Sequence, residues 1–298
     1  MIPTKQTSLY KTVGACEIYA DVYPAGGDTT RPVIVWIHSG ALITGNREGI
    51  AAQHLERYLG EGFTVVSIDY RLAPETKLPE IIADLQDAFR WLRAQGREQF
   101  AIDPDRAAVI GHSAGGYLTL MAGCCVAPRP KALVSFYGYG DIIGDWYSRP
   151  DPFYCQQPAV PREEAYADVG GPPLSGVSWS ESEGRGRFYL YCRQQGLWPL
   201  EVGGHDPAME PDAFTPFCPV RQVTPEYPPT LLLHGDEDTD VPYEQSVLMA
   251  EALERAGVEH ELITLSSKGH GFDRQHDDPA VQAAQDRVLA FLHRHLNS

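Results

Sequence analysis

The chain has 298 residues and a formal net charge of −16. That length suits one large α/β domain, or a core domain carrying an inserted subdomain. Such acidity offers no cationic footprint, so nucleic acid and anionic lipid surfaces are poor partners. No apolar stretch approaches the length of a membrane span. The first residues hold no apolar core of the roughly 7–15 residues that a secretory signal needs. A cytoplasmic, reducing setting is therefore expected, with the six cysteines as free thiols. None are spaced as CxxC and no HExxH occurs, so neither a metal site nor a cofactor is expected.

Strand-like and helix-like runs alternate along the chain. Residues 31–40, "RPVIVWIHSG", form a β-branched run ending in glycine, and 62–71, "GFTVVSIDYR", form another. Helical spacing follows in 79–95, where Ile81, Leu85, Phe89 and Leu92 recur and Pro79 suits the first turn. Residues 107–111, "AAVIG", read as a strand leading into a helix-like run. Residues 131–138, "KALVSFYG", and 229–236, "PTLLLHGD", are two more strands, and "HELITL" at 260–265 is a further one. Val281, Ala284, Val288 and Phe291 then mark a terminal helix. Uninterrupted apolar strands suit a parallel sheet buried on both faces, and the alternation predicts a wound α/β fold.

Residues 141–225 break this rhythm. Prolines and glycines are dense there, and aromatics cluster, Trp146, Tyr147, Tyr154, Tyr189, Trp198 and Phe214 among them. An unstructured loop of that length is unusual in a compact domain. The expectation is an inserted cap of short helices at 141–225 on a core formed by 1–140 and 226–298. The stretch "EGRGRFYLYCRQQGLW" is its best helical candidate.

The junction Gly111-His112-Ser113-Ala114-Gly115 lies between a strand and a helix. A tight strand-to-helix turn forces its central residue into a strained backbone, and small residues two before and two after remove the clash. Ser113 would then stand at the sheet's carboxyl end, at the positive end of the following helix. A nucleophilic serine needs a base, and the base needs an orienting carboxylate. Asp236, Glu237, Asp238 and Asp240 follow the strand at 229–236 and share its edge. His270, between two glycines after the next strand, is the candidate base. His112 points elsewhere by geometry, and the remaining histidines lack a matching context.

These segments together resemble the α/β-hydrolases, and more narrowly the hormone-sensitive-lipase-type carboxylesterases. "WIHSGALITG", "DYRLAPE" and "GHSAGG" look like that family's signatures. "HGDEDTDVP" and "GHGF" are similar to acid and histidine segments shared with prolyl-oligopeptidase-like hydrolases. The resemblance implies a triad of Ser113, Asp238 and His270, with the acid four residues after His234. Asp236 is the runner-up, and Asp240 reads as a loop-stabilising acid. It also implies an oxyanion hole from the backbone N–H groups of Gly40, Ala41 and Ala114. Here the family's HGGG is replaced by His38-Ser39-Gly40-Ala41, with His38 in a structural role. The expected activity is cofactor-free hydrolysis of a small-molecule carboxylic ester with a short, medium or aryl acyl group. A serine exopeptidase and a non-catalytic binding protein are the alternatives, and a homodimer is left open.

Overall fold

A computed structural model describes residues 4–27 and 29–297. Eight strands form one sheet: β1 (Gln6–Val13), β2 (Cys16–Tyr23), β3 (Arg31–Ile37), β4 (Thr64–Ile68), β5 (Ile102–His112), β6 (Ala132–Phe136), β7 (Thr230–Gly235) and β8 (His260–Leu265). Their spatial order is β1-β2-β4-β3-β5-β6-β7-β8. From β4 to β8 every neighbouring pair is parallel, whereas β1 and β2 pair antiparallel and β2 joins β4 the same way.

The helices are α1 (Ala52–Gly60), α2 (Leu78–Phe100), α3 (Ala114–Cys125), α4 (Asp145–Ser148), α5 (Arg162–Ala165), α6 (Glu183–Gln195), α7 (Glu244–Arg255) and α8 (Pro279–Leu296). Both faces of the sheet are covered, as its apolar strands require. The strand period of two divides each strand between two cores. Val33, Val35 and Ile37 pack with Leu85 of α2 and Leu118 of α3. Ile34 and Trp36 pack on the opposite side with Tyr58 of α1 and Val288 of α8.

The chain leaves β3 for β4 on one side and later returns to place β5 on the other. Such a reversal opens a crevice at the carboxyl ends of the strands, the usual position for ligands in open α/β sheets. The turn after β3 and the turn after β5 both open into it. Between β6 and β7 the chain departs from the sheet and forms α4, α5, α6 and several short 3₁₀ turns. This segment packs back over the carboxyl edge. The Trp198 indole donates to the Ala41 carbonyl at 3.0 Å, and Arg185 Nε donates to the Ile43 carbonyl at 2.6 Å. Among the described residues, no helix is long and apolar enough to cross a membrane.

Candidate active site

Ser113 caps α3 with φ 56° and ψ −118°. A non-glycine residue held there costs on the order of 1–3 kcal/mol and persists only where its surroundings enforce it. The enforcement is steric. A Cβ at position 111 would meet the Gly115 carbonyl oxygen at 2.1 Å, and a Cβ at position 115 would meet the Ile37 carbonyl oxygen at 2.1 Å. The Ser113 amide donates to the Phe136 carbonyl at 2.9 Å and so anchors the turn to β6. The N-terminus of α3 directs its positive dipole end at the same point.

Opposite the elbow lies the loop after β3. Gly40, Ala41 and Leu42 all have positive φ, at 115°, 56° and 62°. A Cβ at position 40 would overlap the Thr44 carbonyl oxygen at 2.1 Å, so glycine is required there. The loop is held through its carbonyls. Gly40 accepts from the amides of Ile43 and Thr44 at 2.8 and 2.9 Å, and Leu42 accepts from the Ala73 amide at 2.8 Å. Trp198 and Arg185 take the carbonyls of Ala41 and Ile43. His38 stacks on Tyr70 with centroids 4.1 Å apart, and its Nδ1 lies 2.8 Å from the Ser39 carbonyl. Burial pushes this imidazole down to about 4 despite that bond, so His38 is a neutral structural group.

Asp238 and His270 form a pair: His270 Nδ1 lies 2.7 Å from Asp238 Oδ2. Asp238's other oxygen accepts the amides of Asp240 and Val241 at 2.9 and 3.0 Å. His234, fully buried on β7, sits 3.3 Å from Asp238 Oδ2 through Nε2 and also reaches the Val241 carbonyl at 3.0 Å. The four-residue spacing thus closes the loop on itself. Burial opposes ionisation of Asp238, but the bonds from His234 and His270 overcome it and hold the carboxyl well below the usual range. The runner-up, Asp236, is exposed, and its carboxylate accepts the Ser267 amide at 2.6 Å.

Ser113, His270, Gly40 and Ala41 line one cavity of about 290 Å³, together with Tyr137, Gly186, Tyr189, Asp240 and Arg274. Ala114 is buried in the first turn of α3, directly after the elbow. Of the aromatics in residues 141–225, Tyr189 reaches the cavity. Trp146, Tyr147 and Trp198 instead stack on one another. Asp240 differs from the sequence expectation. It does more than brace its own loop: it faces the cavity and binds residues of the β6–β7 segment. Its Oδ1 accepts from Tyr154 at 2.8 Å, Tyr189 at 2.6 Å and Arg193 Nη1 at 2.8 Å. Those partners are 47 to 86 positions away in the chain, which hid the cluster from local patterns.

His112 turns away from the cavity, as expected. It is buried with Asp273, 3.5 Å from its Nε2, and its ring stacks on that of His54 at 5.5 Å. Tyr137 donates to Asp273 while its ring packs 4.5 Å from that of His270, so this cluster lies behind the His270–Asp238 pair.

Two family models match the chain. The BD-FAE model covers residues 18–139, and the prolyl oligopeptidase family model covers residues 193–298. The chain is 28% identical to a non-reducing polyketide synthase of Penicillium rubens over 99% of this chain but 14% of the synthase. It thus spans about a seventh of that relative's length. An α/β hydrolase superfamily protein from Enterococcus faecalis superposes with a TM-score of 0.74 at 23% identity, covering 98% of this chain and 99% of that one. Esterase 2 of Thermogutta terrifontis, phosphoramylated by tabun, superposes with a TM-score of 0.69 at 22% identity, covering 99% and 96%. With the strand order, these likenesses identify the fold of the chain as that of the α/β-hydrolases.

Proposed function

We propose that the chain is a serine hydrolase of small carboxylic esters, with Ser113 as nucleophile, His270 as general base and Asp238 as its orienting acid. The observation that carries this reading is the 2.7 Å His270–Asp238 contact, with His270 lining the same cavity as the strained Ser113. Asp238 fixes the proton on Nδ1 of His270, which leaves the Nε2 lone pair to take the Ser113 hydroxyl proton. Ser113 Oγ attacks the ester carbonyl. The negative charge that develops on the carbonyl oxygen is received by the backbone N–H groups of Gly40, Ala41 and Ala114. His270 then gives its proton to the departing alkoxide and leaves an acyl-enzyme. A water, deprotonated by the same imidazole, releases the acid and restores Ser113. These steps require no cofactor.

Residues 141–225 act in this reading as a cap that shapes the acyl site. In support, Tyr189 and Gly186 of α6 line the cavity, and Trp198 and Arg185 hold the loop after β3. A cavity of about 290 Å³ is at the small end for ligand sites and favours a short or single-ring acyl group.

The prolyl oligopeptidase family match over residues 193–298 favours a second reading, a serine exopeptidase using the same three residues. Hydrolysis of matched esters and anilides by the purified chain distinguishes them. Ester turnover with no anilide turnover supports the esterase. Preference for the anilide overturns it. Turnover of neither, with Ser113 inert to acylating reagents, would favour a binding protein.

A further inference from the structure

The imidazole of His270 lies between two carboxylates. Asp238 meets Nδ1 at 2.7 Å, and Asp240 Oδ2 lies 3.4 Å from Nε2, the nitrogen that must serve Ser113. Asp240 is not free to swing away. Its other oxygen is the shared acceptor of Tyr154, Tyr189 and Arg193, and its amide donates to Asp238 Oδ1 at 2.9 Å. Arg193 is itself locked. It is buried, binds Asp151 Oδ2 at 2.6 Å and the Asp240 carbonyl at 2.9 Å, and lies 4.5 Å over the Tyr154 ring. The clasp therefore orients Oδ2 of Asp240 toward the imidazole.

A carboxylate in that position distinguishes the two protonation states of His270. The neutral ring, with its proton on Nδ1, turns a lone pair toward an anion. The imidazolium turns an N–H toward it. The second contact is attractive and the first is not. Imidazolium is the state His270 enters when it takes the Ser113 proton.

Resting on the serine-hydrolase reading above, we infer that Asp240 is a positioning residue that raises the basicity of His270, held in place by the Arg193–Tyr154–Tyr189 clasp from the segment between β6 and β7. Other charged and titratable groups surround the ring. Asp238 is on the same loop as Asp240. Tyr137, bonded to Asp273, comes from the turn after β6, His112 ends β5 beside Ser113, and Arg274 lies in the 3₁₀ turn that follows His270. Burial lowers the affinity of His270 for a proton. The field of Asp240 is foremost among the influences that reverse this, followed by Asp238 and Asp273, so that the imidazole titrates above its ordinary value. The clasp also ties this setting to the overlying segment, because Arg193 withdraws part of the Asp240 charge.

The test is Asp240→Asn, which keeps the shape and can still accept from the tyrosines. Two readouts are compared on the intact chain: the pH profile of kcat/KM for a neutral ester, and the His270 imidazole titration followed by ¹⁵N NMR. Both should move to lower pH by about one unit, the size expected for loss of one nearby charge partly offset by Arg193. The thermal transition should remain cooperative. Tyr154→Phe, which removes one donor and leaves the charge, should shift both readouts much less. A profile and a titration that stay in place in folded Asp240→Asn overturn the inference and leave Asp240 as a structural clasp. If the chain hydrolyses no ester, the serine-hydrolase reading fails, but the NMR titration still decides whether Asp240 sets the His270 proton affinity.

Discussion

The Trp198 indole N–H donates to the Ala41 carbonyl at 3.0 Å, so a residue that enters 157 positions later holds the loop opposite the strained turn at Ser113. The bond is fully buried, and Trp198 is completely shielded from solvent. With the Ala41 carbonyl fixed outward, the amides of the same loop keep a constant direction. Trp198→Phe removes the donor and leaves a buried carbonyl without it, at a cost of about 1–3 kcal/mol. The expected outcome is a lower midpoint in urea unfolding and a several-fold fall in kcat with little change in KM. An unchanged kcat in the folded variant would separate Trp198 from the function of the loop.

Gly186 is the place where α6 lends the cavity no side chain. A Cβ at this position would meet no heavy atom within 4 Å, whereas one at Gly184 would meet Asp168 Oδ2 at 2.0 Å. Gly186→Ala should therefore stabilise α6 by roughly 0.5–1 kcal/mol, the usual gain for alanine over glycine inside a helix. Gly186→Leu should fill the acyl side and reorder a panel of acetyl, butyryl and octanoyl esters. Loss of the longer acyl chains by about 10–200-fold relative to acetyl matches what a few methylenes contribute in a pocket. Equal scaling of all three esters would mean that α6 does not select the acyl chain.

Asp238→Asn keeps the shape but releases His270 into the wrong tautomer. Turnover should fall about 10⁴-fold with the fold intact, whereas Asp236→Asn should stay near wild type because its carboxylate only accepts the Ser267 amide. Steady-state kinetics of both variants, on preparations matched by circular dichroism, check this. A severe Asp236 variant beside an active Asp238 variant would reverse the assignment.

Asp238 also links stability to pH. Its carboxyl is depressed in the folded chain, so its stabilising contribution is complete above the ordinary carboxylate value near 3.9 and is lost as pH falls below it. The difference in unfolding free energy between wild type and Asp238→Asn should grow as pH falls from 8 to 5, because Asp238 raises the proton affinity of His270 in the folded chain. It should shrink only in stronger acid. Urea titrations at a series of pH values read it, and a gap that already closes as pH falls from 6 to 5 would contradict an ionised Asp238 paired with His270.

Much of the fold is legible because the central strands are buried on both faces. Val33 to Ile37 and Leu231 to Leu233 leave no polar position to interrupt the run. β1 shows the opposite case. It is a half-exposed edge strand, "QTSLYKTV", whose mixed surface is set by its pairing with β2 rather than by a local pattern. The elbow is legible because sterics demand glycine at 111 and 115. Among the four acids after β7, Asp238 is singled out by the family resemblance, which puts the acid four residues after His234, and the loop brings those two side chains within 3.3 Å. The Asp240 clasp has no such local trace. Its partners meet only when α6 packs over the carboxyl edge, and nothing in "DEDTDVP" marks which acid Arg193 will find.

Covalent labelling tests the assignment of Ser113 most directly. The intact chain is treated with a fluorophosphonate, and the adduct is mapped by peptide mass spectrometry while residual ester hydrolysis is followed. The predicted result is one adduct per chain, on Ser113, rising in step with loss of activity. Ser113→Ala should be unlabelled and slower by about 10⁶-fold. Full labelling at another residue, or ester hydrolysis retained by folded Ser113→Ala, would contradict a Ser113 nucleophile.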